Sequence, residues 1–136
     1  NLTLLVDCST NDGAIIDSIS LVSNEASLTS VKVIAFLSVA TSGAGVTAIN
    51  TLAVANATVG SSLGERVNMS LPALSVPVPN LASPAATAAA YPSETDKKNT
   101  GIYVPSGATL FVGTSAAISA PSSASRVNVF AQGGFF

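Results

Sequence analysis

The run Val31-Lys-Val-Ile-Ala-Phe-Leu-Ser-Val-Ala40 limits what this chain can become. Val31, Val33, Ala35, Leu37 and Val39 recur at a period of two, which is the spacing of one face of a β-strand. The alternate residues Lys32, Ile34, Phe36 and Ser38 are themselves half apolar. Such a strand is central in its sheet or covered on both sides. Apolar runs of similar length, rich in β-branched residues, recur along the chain, and Gly, Asn, Asp, Ser and Pro separate them at short intervals. That spacing predicts an all-β domain, a sandwich or a barrel.

The first run, Leu2 to Cys8, ends at Asn11-Asp12-Gly13, where the Asp-Gly pair suits the positive φ angles of a tight connection. In the second, Ile15 to Val22, Ile19 and Leu21 share one face while Ser18 and Ser20 share the other. The fourth run, Ala48 to Val59, reads as strand, although its alanines also permit helix. Arg66 to Leu71, Gly101 to Val104, Thr109 to Val112 and Arg126 to Ala131 complete the set. In the last, Val127, Val129 and Ala131 face one way, and Asn128, Phe130 and Gln132 the other.

Between Pro72 and Thr100 the composition changes. Pro72, Pro77, Pro79, Pro84 and Pro92 sit among Ala, Ser and Val and lead into a polar cluster at 93–100. Prolines this frequent rule out a central strand. The single domain 1–136 is therefore expected to carry 72–100 as a Pro/Ala-rich loop or arm, extended near Val76 to Asn80 and with a helical turn or two between Ala85 and Ala90. Contact with a neighbour and packing on its own domain are equally good readings of this arm.

Composition narrows function. With 48% hydrophobic residues and 9% charged, the surface must be largely apolar or small and hydroxylated. The absence of histidine removes Ser-His-Asp and Cys-His catalysis and imidazole metal sites. Carboxylates at Asp7, Asp12, Asp17, Glu25, Glu65, Glu94 and Asp96 lack the setting of a sugar-cleaving pair. Asp17 is expected to cap a backbone donor or pair with a base, and Asp7 with Asn11-Asp12-Gly13 to form a turn rather than a calcium loop. Gly43-Ala-Gly45 has no lysine to make a phosphate cradle. Cys8, the single cysteine, forms no intrachain disulfide and is expected to be a small buried hydrophobe. Neither catalytic residues, cofactor nor metal are expected.

A net charge of −2 with scattered bases gives no footprint for nucleic acid, and no apolar run is long enough for a membrane-spanning helix. The expectation is a soluble protein without nucleic-acid or membrane partners.

Near the C-terminus, Ile102-Tyr-Val-Pro-Ser-Gly-Ala-Thr-Leu-Phe-Val112 precedes Val127-Asn-Val-Phe-Ala-Gln-Gly-Gly-Phe-Phe136. Upstream stand Gly13-Ala-Ile-Ile-Asp-Ser-Ile19 and Val33-Ile-Ala-Phe-Leu37. This set resembles a group of small tailed-bacteriophage virion proteins that end in a Gly-Gly-Asp-Tyr-like strand; here Phe135-Phe136 replaces the acidic-aromatic ending. The resemblance skips Ala40 to Thr100. It implies a virion structural role on the capsid surface, as a decoration or cement protein, and an all-β fold that is an antiparallel β-sandwich of jelly-roll-like character.

On that reading the protein is no enzyme. Its partners are the major capsid protein and further copies of itself, a homo-oligomer and most simply a trimer. Interface contacts are expected at Val76, Pro77, Val78, Pro79, Leu81 and Tyr91 of the arm, and at Phe130, Phe135 and Phe136 of the last strand. The alternative is a receptor- or carbohydrate-binding module of a tail, fibre or cell-surface protein, for which Tyr91 and Tyr103 are the available platforms.

Overall fold

The computed structural model describes residues 2–24, 31–59, 62–72, 100–115 and 127–136, and eight strands form among them. They are β1 (Leu2–Asp7), β2 (Gly13–Ser23), β3 (Val31–Ser38), β4 (Thr51–Val59), β5 (Arg66–Asn68), β6 (Ile102–Pro105), β7 (Thr109–Thr114) and β8 (Val127–Phe135). One sheet has the order β1-β7-β3-β4; the other is organised on β2, which pairs with β5, β6 and β8. Every pairing is antiparallel. The sheets pack face to face around Ile16, Ile19, Leu21, Val33, Val104 and Leu110, so the chain is an antiparallel β-sandwich. Sequence neighbours mostly lie in opposite sheets, as in a jelly roll; β3/β4 and β5/β6 are the consecutive pairs that share a sheet among the described strands, and of these β3 and β4 bond directly to each other.

The Ala48–Val59 ambiguity resolves as strand from Thr51 onward, because β4 lies along β3 from Thr51↔Ser38 to Val59↔Val31. β3 is flanked by β7 and β4 and is central, as its two apolar faces require. The Asp12-Gly13 connection joins two sheets instead of closing a hairpin, and Gly13 alone in it takes a positive φ, 140°.

β2 holds its sheet together. β8 runs along one edge from Ala14 to Ser23, so β6, opposite residues 13–16, and β5, opposite 20–22, must share the other edge end to end. Between them Gly101 N–H donates to Pro72 O at 3.0 Å. The chain thus leaves and re-enters the sandwich at one point on either side of 73–99. The expected extended and helical pieces of the arm lie outside the described residues.

Three bulges adjust the pattern. Asp17 is the unpaired residue between Ile16↔Gly133 and Ser18↔Gln132, and it resets the alternation so that Ala14 and Ile16 before it, and Ile19 and Leu21 after it, all reach the core. Leu5 does the same in β1 and Val54 in β4. Asp17 itself is exposed, and its carboxylate meets no cap or base among the described residues, contrary to expectation. Its job is local geometry.

The outer face of the β1-β7-β3-β4 sheet is not a simple solvent face. Phe111, between Leu4 and Phe36 in the cross-strand register, points away from the Leu110 and Val112 side and is still only 1% exposed. The β3–β4 connection lies over this face. Thr109 Oγ1, fully buried, donates to Ala40 O at 2.6 Å, and Gly43 is packed so closely on Leu2 that an added Cβ would lie 3.3 Å from its carbonyl oxygen. Gly43–Gly45 is a single 3-10 turn in this connection.

Candidate interaction surface

The outer face of the β2 sheet collects polar side chains and exposed rings. β2 contributes Ser18, Ser20 and Val22; opposite them lie Gln132, Phe130 and Asn128 of β8 and, on the other side, Asn68 and Arg66 of β5. Arg66 Nη2 donates to Ser20 Oγ at 3.1 Å, and Ser20 Oγ donates to Asn68 Oδ1 at 2.8 Å. Ser18 Oγ donates to Gln132 Oε1 at 3.1 Å. These bonds hold a shallow depression of about 380 Å³ lined by Ser20, Val22, Arg66, Phe130, Ala131 and Gln132. Its guanidinium faces no carboxylate among the described residues.

Further along the same sheet the rings gather. Phe136 N–H donates to Gly13 O, which lays the Phe136 ring on Gly13, and the Tyr103 ring stands 6.1 Å from it, centroid to centroid, tilted by 32°. A Cβ at Gly13 would lie 3.0 Å from Val104 O and 3.1 Å from the Phe136 ring, so close approach and positive φ both demand glycine. Gly133 is equally constrained, because a Cβ there would run into Ile15 O and Ile16 Cα at the bulge. Tyr103, Phe130, Phe135 and Phe136 are 49%, 56%, 60% and 61% exposed. Tyr103 and Phe130 lie on the outer face and Phe136 follows β8 beside Tyr103, whereas Phe135, opposite the buried Ala14, lies on the other face of the same sheet.

Of the residues expected at an interface, Phe130, Phe135 and Phe136 therefore lie on one strand and its end, exposed. Val76, Pro77, Val78, Pro79, Leu81 and Tyr91 fall outside the described residues. Sequence reasoning missed Arg66, and it had Tyr103 as a ligand platform without placing it beside Phe136. Both placements are reachable only through pairing: Tyr103 comes to the aromatic group because β6 and β8 flank β2, and Arg66 reaches Ser20 through the β2–β5 register.

Two other places were candidates. Asp7 forms the expected turn: its Oδ1 accepts from Ser9 N–H at 2.8 Å, Asn11 Nδ2 donates to its backbone oxygen, and hydrogen bonding from Ser9, side chain first and backbone second, lowers its pKa. No group of three or more acidic or cysteine side chains suited to a metal occurs among the described residues. Cys8 is fully buried, and burial above all, with the Asp7 charge second, pushes its thiol pKa up. At the end of the sandwich, Val39, Ile49 and Leu52 are exposed beside a second shallow depression of about 310 Å³.

Fold and surface together define an antiparallel β-sandwich that exposes aromatic side chains on one sheet. Compared with known protein families, curated proteins and solved structures, the chain matches none.

Proposed function

We propose that this chain is a non-enzymatic structural protein of a tailed-phage virion, a decoration or cement protein on the capsid surface that works by contact with the major capsid protein and with its own copies. The observation that carries the reading is the concentration of Tyr103, Phe130, Phe135 and Phe136, all about half exposed or more, on one sheet beside an uncharged edge strand. Aromatic residues are the ones whose burial contributes most to an interface, and a protein that met only water would gain nothing from displaying them. The resemblance of the 102–112 and 127–136 segments to small virion proteins supplies the setting.

Quantitative mass spectrometry of purified phage particles, comparing this chain with the capsid protein, tests the reading. Copies in fixed proportion to capsid subunits support it. A few copies per particle would move the protein to the tail, and none would end the proposal.

A second reading rests on the depression at Ser20, Arg66, Phe130 and Gln132, which offers a guanidinium and a ring to a small polar ligand. A signal on a glycan array, lost in Arg66→Ala and unaccompanied by capsid binding, would favour a receptor- or carbohydrate-binding module.

A further inference from the structure

We propose that β8 is a self-association edge, through which two copies pair antiparallel about a two-fold axis at Ala131 and merge their β2 sheets into one. This deepens the self-association in the reading above but needs no capsid.

The direction of each peptide group in β8 follows from its neighbours. Ile19 O accepts from Met69 N–H, and Ser23 both donates to Glu65 O and accepts from Gly64 N–H, so Ile19 and Ser23 turn toward β5. Ser20 and Val22 then turn toward β8, where they oppose Phe130 and Asn128. At the far end Phe136 N–H bonds inward to Gly13 O. Even-numbered residues of β8 therefore bond to β2. Val127, Val129, Ala131, Gly133 and Phe135 aim both N–H and C=O at the free edge, where they meet no partner among the described residues.

Among the described residues the other edges are protected and this one is not. β1 and β4 carry bulges at Leu5 and Val54, β4 is also bridged by Ser70 at Asn56, and the β5/β6 edge is broken into two short pieces. β8 runs nine residues with no charge, no proline and no bulge of its own. An open edge of that kind pairs with another strand.

A second copy is the occupant that fits. The outward groups are centred on Ala131, so antiparallel self-pairing sets Val127 against Phe135, Val129 against Gly133 and Ala131 against its equivalent, with no overhang and no like charges opposed. Each exposed Phe135 then covers a partly buried Val127. The two Phe130 rings become diagonal neighbours on the outer face, within reach of each other at about 7–8 Å. A strand pair of this symmetry makes a dimer, in place of the trimer expected from the sequence.

Amide hydrogen exchange on the purified full chain, with its mass measured across concentrations, tests this. Inward amides such as Phe130 and Gln132 are protected at any concentration. Val129, Ala131 and Gly133 should become protected only as the mass rises from one chain to two. Ala131→Pro removes an outward N–H without touching the β2 ladder and should raise the dissociation constant by about tenfold or more. Phe130→Lys, which sets two cations diagonally across the axis, should weaken the dimer in the same direction. A monomer at every concentration, a trimer, or a dimer whose outward amides still exchange freely would each overturn the proposal; capsid binding by such a protein would leave the coat reading standing.

Discussion

Cys8 shows how little chemistry this chain keeps within reach of solvent. Its side chain is fully buried, and its backbone ties β1 to the β6–β7 turn, accepting from Gly107 N–H at 2.8 Å and donating to Ala108 O at 3.0 Å. The thiol pKa is raised in the folded state, so the native protein holds that proton more tightly than the unfolded chain does. Stability from this group is complete below the unfolded thiol's pKa and is lost as pH rises from there through the folded value. Denaturant unfolding between neutral and alkaline pH should show that loss in the native chain and not in Cys8→Ala. A thiol reagent should label Cys8 no faster than the sandwich opens. The buried character of Cys8 was legible in the sequence, since an unpaired cysteine in an apolar run is ordinarily a small hydrophobe. The constraint on Gly133 was not, because the Ile15 carbonyl that excludes a side chain belongs to a strand more than a hundred positions away.

Strand periodicity carried much of the fold, and bulges mark where it stopped. In β2 the alternation of Ile19 and Leu21 against Ser18 and Ser20 was readable, as was the division of β8 into Val127, Val129, Ala131 and Asn128, Phe130, Gln132. Ala14 and Ile16 have the opposite parity from Ile19 and Leu21, yet all four are buried, and only an inserted residue reconciles them. That parity conflict was the available signal for Asp17. Substitution and deletion at this position should consequently differ. Asp17→Ala leaves the exposed bulge in place and should change stability by no more than about 0.5 kcal/mol. Deleting Asp17 forces one half of β2 to turn its apolar residues outward; losing Ile19 and Leu21 from the core alone costs about 3–6 kcal/mol. Circular dichroism and urea unfolding of the two variants separate the cases, and a deletion variant as stable as Asp17→Ala would show that the bulge does not set the phase.

At the scale of the molecule, sequence reasoning reached the sandwich class but not the partition of strands between sheets, which depends on pairings across long separations. β5 and β6 illustrate this: 73–99 intervenes between them, yet both bond to the same edge of β2. Because Pro72 and Gly101 are hydrogen-bonded at the base of that segment, the sandwich closes beneath it. Replacing 73–99 with a four-residue Gly/Ser linker should leave the strand signal unchanged, and shortening the loop favours folding by about 1.7 kcal/mol through closure entropy. On the proposed function the same variant should lose affinity for capsids, since the sequence places expected interface contacts between Val76 and Tyr91, while its β8 pairing persists. Cosedimentation with capsids, read beside thermal unfolding, distinguishes the outcomes. A variant that folds and still decorates the shell removes the arm from the binding mechanism and leaves the aromatic sheet to carry it; a variant that cannot fold shows that the sandwich depends on the segment it encloses at that hydrogen bond.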